Sequence, residues 1–311
     1  MDAIRTYKLT KLFGDNQAVS ELTFGVEAGE IFGLVGPDGA GKTTTMRMLA
    51  SIMDPSSGKA WVCGRDVAGE AERVKEEIGY MSQLFGLYPD LSVMENIDFY
   101  CDIYGVPSRH RRERVDRLLE FSNLADFKKR LAGNLSGGMK QKLGLVCALV
   151  HTPKVLLLDE PTNGVDPVSR RDFWRILYQL LRQKVTIVIS TAYLDEAERC
   201  NRLALLDKGR IIGLGTPDEI KRMMRGAIIE VRSGRPREAA GVLRGLLGAD
   251  CVGLFGDRVH VVTRDGGATH EKIQAALAQA GLDVAAIRPV EPSLEDVFVS
   301  VIAGRRRGEG P

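Results

Sequence analysis

The segment of this chain with the clearest chemical signature is Gly36-Pro37-Asp38-Gly39-Ala40-Gly41-Lys42-Thr43-Thr44. Its spacing fits G-x-x-x-x-G-K-[ST], the pattern of a phosphate-binding loop. The apolar run before it, Glu30–Val35, predicts a buried parallel strand, and a helix is predicted over Thr44–Ala50. Backbone N–H groups at the start of that helix would favour an anion. Lys42 can then reach the β- and γ-phosphates of a nucleotide, and the Thr43 hydroxyl can hold Mg²⁺.

Two later segments also carry polar residues at positions suited to binding. Leu135-Ser136-Gly137-Gly138 is a second glycine-containing turn before a predicted helix, and therefore a second potential anion site. The apolar run Val155–Leu158 predicts a central buried strand that ends at Asp159 and Glu160. Ligands of open α/β sheets bind at this carboxyl edge. Two acids there are costly unless a positive group is bound, and Mg·ATP is the natural candidate.

The remaining pattern supplies the elements that must position these residues. Alternating stretches before residue 35 predict a small antiparallel sheet that feeds a parallel one. From Ser92 to Arg130 the pattern is helical and rich in charge, and Ser92 with Glu95 fits a capping box. Phe13 lies at the end of the first predicted strand, beside a turn. Its ring can stack on adenine or serve as a core or edge residue, and spacing alone does not separate these roles.

Composition excludes several other classes of protein. The 311 residues suggest one large domain or two ordinary ones, and the net charge of +2 does not favour a nucleic-acid partner. No apolar run reaches the ~20 residues of a membrane-spanning helix, and we expect no signal peptide. The cysteines form no C-x-x-C pair, which predicts a reduced cytosolic protein without zinc. They are Cys63, Cys101, Cys147, Cys200 and Cys251.

The character of the chain changes near Arg225 and Gly226. Residues 1–225 form the predicted nucleotide-binding domain, and strand-like and helical runs after them predict a small α+β domain over residues 226–311. This second domain carries no catalytic constellation. The final run Gly304–Gly308 contains three consecutive arginines and is predicted to be a disordered basic tail.

With these motifs in this order, residues 3–225 resemble the ATPase subunit of an ABC transporter. The run Leu-Ser-Gly-Gly-Met-Lys-Gln at Leu135–Gln141, and Glu291–Phe298 near the C-terminus, resemble the bacterial exporter branch for drugs, antibiotics and polysaccharides. The resemblance implies an α/β fold with a P-loop NTPase core of the ABC type. That core has a mixed sheet, an antiparallel β subdomain and a helical subdomain at about residues 87–130.

The resemblance also implies which residues bind Mg·ATP and act on it. Phe13 would stack on adenine, and Glu160 would be the general base that activates water. Gln83 would sense Mg²⁺ and the attacking water and link to the membrane partner, while Asp159 would hold Mg²⁺ through water. The phosphates would be held by the loop residues, with Thr43 on Mg²⁺ and Lys42 contributing to catalysis: Gly36, Pro37, Asp38, Gly39, Ala40, Gly41, Lys42, Thr43 and Thr44.

Three residues are implied to act across a dimer. Ser136 and Gly138 would close on the γ-phosphate bound to a second ATPase subunit, identical or different, and Asp166 would lie at the seam. The helical subdomain would receive the coupling helix of a transmembrane permease subunit. The resemblance therefore implies a peripheral protein on the cytoplasmic face of the cell membrane. An ABC protein acting on ribosomes or DNA is disfavoured, because the chain has one P-loop and a short interval from Lys42 to Ser136.

One position departs from the family pattern. The family has a switch histidine after the strand that ends at Ser190, and this chain has Ala192 there. Losing one contact to the transition state costs on the order of 10²–10³ in rate, so we expect slow hydrolysis. The alternative is a mainly ATP-binding, regulatory or degenerate half of an asymmetric pair. The retained Glu160 opposes that alternative, and Ala192 favours it.

Overall fold

The computed structural model describes residues 2–83, 86–224, 226–263, 266–298 and 300. The chain divides into two compact units, Met1–Leu214 and Gly215–Pro311. This division lies earlier than the predicted boundary at 225/226, because the short helix Pro217–Arg222 groups with the second unit. Thr216 starts that helix with a capping box, which separates it from the strand before it.

The strands, in chain order, are β1 (Asp2–Phe13), β2 (Asn16–Leu22), β3 (Gly25–Glu27), β4 (Ile31–Val35), β5 (Ser57–Val62), β6 (Arg65–Asp66), β7 (Ile78–Met81), β8 (Val155–Asp159), β9 (Thr186–Thr191), β10 (Arg202–Asp207), β11 (Arg210–Gly215), β12 (Ala227–Ser233), β13 (Val252–Phe255), β14 (Arg258–Thr263) and β15 (Val284–Val290). The helices are α1 (Lys42–Leu49), α2 (Ala71–Glu77), α3 (Val93–Ile103), α4 (Ser108–Ser122), α5 (Gly137–Leu149), α6 (Pro167–Arg182), α7 (Leu194–Ala197), α8 (Pro217–Arg222), α9 (Pro236–Leu247) and α10 (Gly266–Gln279).

The first unit is built on a six-stranded sheet in the order β11-β10-β4-β9-β8-β7. The pairs from β10 to β7 are parallel, and every residue of β4 and β8 is buried. Parallel strands that are buried on both faces have nearly continuous apolar sequences, and β4 and β8 show this pattern. The carboxyl ends of β4, β8 and β9 therefore meet at one edge, directly before the phosphate-loop segment, Glu160 and Ala192.

Separate apolar cores cover the two faces of this sheet. Helix α1 and a five-stranded sheet, β2-β1-β5-β6 with β3 paired to β1, share one core with Phe32 and Leu157. Helices α5 and α6 pack on the opposite face, against Ile31 and Leu158. Successive residues of a strand alternate between faces, which explains why neighbours in sequence enter different cores.

Helices α3 and α4 form a third core with α5, in the region predicted to be the helical subdomain. The predicted capping box at its start is confirmed. The Ser92 N–H donates to Glu95 Oε2 at 2.7 Å, and the Glu95 N–H donates to Ser92 Oγ at 3.2 Å. Such a cap satisfies two N–H groups that a helix start otherwise leaves unpaired.

The second unit contains a four-stranded antiparallel sheet in the order β13-β14-β12-β15. Helices α9 and α10 share its apolar core, and residues 294–298 are helical. The predicted basic tail at residues 304–308 lies outside the described residues. Within the part of the chain that the structure describes, no helix has both the length and the apolar character needed to cross a membrane.

A buried polar cluster joins the strands of this second unit. Glu230 on β12 is 2% exposed and forms ion pairs with arginines of its own and neighbouring strands, namely Arg232, Arg258 and Arg288. His260 Nδ1 lies 2.8 Å from Asp296 Oδ1. This hydrogen bond raises the pKa of His260 above 6.5, although burial opposes the shift. Burial alone would raise the pKa of Asp296, but the hydrogen bonds from His260 and Ser293 lower it.

The stability of the second unit should depend on pH through His260. A folded-state pKa above the unfolded value means that the protonated pair contributes fully below about pH 6.5. That contribution is lost as pH rises through the higher folded value. We expect faster amide hydrogen exchange in β12 as pH rises from about 6 to 8, after correction for intrinsic exchange. His260→Asn should flatten this dependence, and an unchanged slope in that variant would contradict the assignment.

Candidate functional site

The glycine-rich segment connects β4 to α1, as its sequence predicts. Gly41 caps α1 in a left-handed conformation with φ of 97°, and a Cβ there would lie 2.6 Å from the carbonyl oxygen of Ala18. Glycine is therefore required by both backbone conformation and space. No side chain caps the start of α1. Its first N–H groups and the helix dipole form a seat for an anion.

Asp159 ends β8 directly opposite this seat. It is 1% exposed, and its Oδ1 accepts hydrogen bonds from Ser190 Oγ at 2.6 Å and Thr43 Oγ1 at 3.1 Å. Burial raises the pKa of Asp159, although the two hydrogen bonds oppose the shift. Its second oxygen, Oδ2, is buried and has no hydrogen-bond partner among the described residues. A buried carboxylate oxygen without a partner is unfavourable unless a cation or donor reaches it.

Glu160 follows Asp159 and turns toward the phosphate-loop segment. Its Oε1 lies 3.1 Å from Lys42 Nζ, and its Oε2 accepts from Gln83 Nε2 at 3.1 Å and from Asn163 Nδ2 at 3.4 Å. The backbone of Glu160 has φ of 48°, a left-handed value that costs a non-glycine residue about 1–3 kcal/mol. Strain of this kind concentrates at functional sites, where the surrounding contacts hold it.

Lys42 is 4% exposed and surrounded by acceptors. Besides Glu160, its ammonium donates to the carbonyl oxygens of Gly36 at 2.8 Å and Pro37 at 3.0 Å. A cation held inside this turn, beside the N–H groups at the start of α1, adds to the positive potential of the seat. Lys42 therefore stands between the phosphate-loop backbone and the predicted general base.

An open cleft of about 800 Å³ joins most of the predicted residues. Phe13 lines it and is 48% exposed, so the ring is not a core residue. Lys11 Nζ lies 5.5 Å from the centre of that ring. The cleft is lined by Phe13, Asn16, Gln17, Ala18, Asp38, Gly39, Ala40, Gly41, Lys42, Thr43, Thr44, Gln83, Glu160, Asn163 and Lys208.

Six predicted residues do not line this cleft: Gly36, Pro37 and Asp159, which belong to the segments around it, and Ser136, Gly138 and Asp166, which lie at helix starts. Ser136 is the N-cap of α5 and is exposed, and its Oγ accepts from the N–H of Met139 at 3.3 Å. Asp166 is the N-cap of α6, and its Oδ1 accepts from the next two N–H groups of that helix at 3.0 and 2.9 Å. A Cβ on Gly138 would lie 2.5 Å from Ser169, so the two helix starts are in close contact.

A smaller cavity of about 150 Å³ lies beside the exposed residue Ala192. It extends to Glu160, and its wall includes Asn163 and Tyr193. The Tyr193 hydroxyl is 3.5 Å from Asn163 Oδ1. A side chain larger than alanine at position 192 would enter this space next to the predicted general base.

Sequence reasoning missed two polar residues near the site. Ser190 Oγ donates to Asp159 and accepts from the N–H of Glu160 at 2.9 Å, and so connects both carboxylate residues to β9. Glu196 is 1% exposed and accepts from two threonines. A polar residue at the end of the apolar run Val185–Ile189 was an available signal for Ser190. No comparable signal marked Glu196, which follows an exposed loop.

Two family models match parts of this chain. Residues 19–163 match the family model described as "ABC transporter", and residues 215–302 match that of the "ATP-binding protein DrrA1-3-like, C-terminal domain". The chain is 38% identical over 304 residues to the "Nod factor export ATP-binding protein I" of Rhizobium etli, covering 96% of this chain and 93% of that protein.

The chain belongs to the ABC transporter ATP-binding protein family. It is also 42% identical over 299 residues to the "Probable multidrug ABC transporter ATP-binding protein YbhF" of Escherichia coli. That alignment covers 96% of this chain and 51% of YbhF, so the chain spans about half the length of this relative. The predicted family and the predicted α/β fold with a P-loop core are confirmed.

The fold is also similar to that of a solved ABC cassette. That structure is described as "the ADP conformation" of "an ATP-binding cassette of an ABC transporter", and it matches with a TM-score of 0.62 and 25% identity. The match covers 70% of this chain and 92% of that cassette.

The donor set beside the phosphate seat suits Mg²⁺, the ion expected with ATP in this family. Mg²⁺ prefers hard oxygen ligands and is usually bound by one or two protein groups together with substrate phosphates and water. Thr43 Oγ1 and the unpartnered Asp159 Oδ2 are oxygens of this kind, close to the start of α1. Gln83 contributes an amide near the same carboxylates.

Removing the Asp159 charge should separate metal binding from nucleotide binding. We expect Mg²⁺ to tighten ATP binding by the wild-type protein. In Asp159→Asn this Mg²⁺-dependent increase in ATP affinity should be about 10–100-fold smaller. Equilibrium binding of a fluorescent ATP analogue, with and without Mg²⁺, measures both quantities. Affinity in EDTA serves as the control and should be unchanged. An equal Mg²⁺ effect in both proteins would rule out this role for Asp159.

Proposed function

We propose that this chain is the ATP-hydrolysing subunit of an ABC exporter, bound peripherally to the cytoplasmic face of the membrane. The observation that carries the proposal is the placement of Glu160, 3.1 Å from Lys42 Nζ, in the cleft that the phosphate-loop segment lines. A carboxylate beside a phosphate seat can accept a proton from water that attacks the γ-phosphate. The names of the relatives, which refer to multidrug and Nod factor export, support the exporter assignment.

Each residue of the cleft has a role in the proposed reaction. The exposed ring of Phe13 stacks on adenine, and the N–H groups at the start of α1 bind the phosphates. Lys42 moves from the Glu160 carboxylate to the β- and γ-phosphates, which frees that carboxylate to accept a proton. Gln83 orients the Glu160 carboxylate through its hydrogen bond. Thr43 and Asp159 would hold Mg²⁺, which would supply positive charge to neutralise the phosphates.

A second subunit completes the site in this proposal. Ser136, Gly138 and Asp166 lie outside the cleft of their own chain, at adjoining starts of α5 and α6. The exposed hydroxyl of Ser136 and the N-terminal dipole of α5 form a second anion seat. We infer that this seat closes on the γ-phosphate of ATP held by the other subunit, and that Asp166 lies at the seam.

The membrane partner is a permease subunit that receives the motion of the dimer. Helices α3 and α4, with their own apolar core, form the proposed docking region for its coupling helix. The permease, rather than this chain, would select the transported molecule.

The cavity beside Ala192 favours a second candidate function. Because the methyl group of Ala192 cannot donate a hydrogen bond, the γ-phosphate loses a donor, and the chain can act as the ATP-binding, regulatory half of an unequal pair. Its Ser136 and Gly138 would then complete the active site of the other half.

Single-turnover hydrolysis of ATP with Mg²⁺ distinguishes these candidates. We expect slow turnover in the wild type and only a much lower residual rate in Glu160→Gln, because an amide does not accept the proton. Ala192→His should speed hydrolysis by up to about 10²–10³-fold, since it restores one donor at the transition state. A wild type that binds ATP and turns over no faster than Glu160→Gln would contradict the hydrolytic proposal and support the regulatory one.

Ser136→Ala tests the shared site in the native assembly with the permease. We expect loss of most ATPase activity there, whereas ATP affinity of the isolated subunit should stay unchanged because Ser136 lies outside its own cleft. The helix keeps its fold at a cost of about 1 kcal/mol for the lost N-cap. Full ATPase activity of the variant assembly would exclude the proposed closure of Ser136 on the second nucleotide.

A further inference from the structure

Glu196 is a buried carboxylate with partners from three separate segments. Its Oε1 accepts from Thr162 Oγ1 at 2.6 Å and from Arg170 Nε at 3.2 Å, and its Oε2 accepts from Thr191 Oγ1 at 2.9 Å. The Glu196 side chain is 1% exposed, and both threonines are 2% exposed. Such a group is tolerated in the interior only while its partners remain in place.

The three partners belong to the parts of the chain that carry the proposed chemistry. Thr162 lies two residues after Glu160, and Thr191 ends β9 directly before Ala192. The carbonyl oxygen of Thr191 also accepts from the N–H of Gly36 at 3.2 Å, at the start of the phosphate-loop segment. One carboxylate therefore fixes the segment after Glu160 relative to the end of β9.

Arg170 connects this arrangement to α6. Its guanidinium binds Glu196, lies 3.3 Å from Asp195 Oδ2, and stacks over the ring of Tyr193 at 4.4 Å. Arg170 is one turn into α6, and its N–H donates to the carbonyl oxygen of the N-cap residue Asp166 at 2.9 Å. A shift of the α6 start would therefore move Arg170 and strain its bond to Glu196.

Ala192 increases the importance of these contacts. Its methyl group makes no hydrogen bond, so the loop from Thr191 to Leu194 depends on its neighbours for position. The N–H of Tyr193 donates to Thr191 Oγ1 at 3.0 Å, and Arg170 covers the Tyr193 ring. Thr191 is thus held by Glu196 itself, and Tyr193 is held by Thr191 and Arg170, which are both partners of Glu196.

We propose that Glu196 is a positioning residue for ATP hydrolysis. It holds the segment carrying Glu160 in a fixed position relative to α6. A displacement of Asp166, which lies at the proposed dimer seam, would be transmitted through Arg170 and Glu196 to the general base Glu160. The inference rests on the proposed ATPase function. It assigns Glu196 no contact with ATP, so its effect is on the rate of hydrolysis rather than on nucleotide affinity.

The test compares Glu196→Gln with Asp195→Asn in the assembled transporter. Both changes remove one carboxylate that pairs with Arg170, but Asp195 is 68% exposed and does not bind the threonines. We expect Glu196→Gln to lower kcat on the order of 10–10²-fold, because small errors in the placement of catalytic groups are costly. Its KM for ATP should stay within about twofold. Asp195→Asn should leave both within about twofold.

A second comparison separates positioning from general damage to the fold. In a Glu160→Gln background, Glu196→Gln should lower residual hydrolysis no further, because the two residues act as one unit. If Glu196→Gln does not fold, Thr162→Val removes one donor to Glu196 without changing the side-chain shape, and should also lower kcat with KM unchanged. An unchanged kcat in the variant used, or losses that add in the Glu160→Gln background, would overturn the positioning role.

Failure of the underlying function gives a different result. If the wild-type assembly hydrolyses ATP no faster than Glu160→Gln, the ATPase function fails, and the positioning role fails with it. If the wild type turns over and Glu196→Gln matches it, only the positioning role is overturned.

Discussion

The ammonium of Lys42 lies 3.1 Å from the carboxylate of Glu160, inside a turn whose carbonyl oxygens also bind it. Asp159 ends β8 and Glu160 follows it, and burial makes the negative charge of Asp159 unfavourable. The lysine balances one of these two carboxylates, while hydroxyls of Thr43 and Ser190 satisfy part of the other. The architecture around these groups follows from this requirement, because three segments must meet where the charges are balanced.

The parallel sheet provides that meeting point. Strands β4, β8 and β9 are neighbours and end at one edge, so the phosphate-loop segment, the carboxylates and the loop with Ala192 come together although they are far apart in sequence. Both faces of these strands are buried under helices or a second sheet. Apolar packing thus fixes the positions of the strand ends. The hydrogen bonds and the ion pair then orient the side chains at that edge.

The sequence allowed prediction of those parts of the site whose signal is local. The phosphate-loop spacing, the acids after an apolar run, and the capping box at Ser92 each depend on residues a few positions apart. The partners of Glu196 could not be predicted in this way, because they depend on the register of β8 with β9 and on the angle of α6. The contact between Lys42 and Glu160 has the same origin. The division at 214/215 comes several residues before the change of composition near residue 225, so composition alone does not mark it.

The hydrogen-bonded frame around Ala192 also has an evolutionary consequence. Thr191 and Tyr193 are held by partners that do not include the side chain between them. Position 192 can therefore accept different residues without loss of the surrounding backbone, and mutation there would alter turnover more than folding. Under the proposed ATPase function, a single substitution at position 192 would change the rate of ATP use while the contacts of Thr191 and Tyr193 keep the surrounding backbone in place.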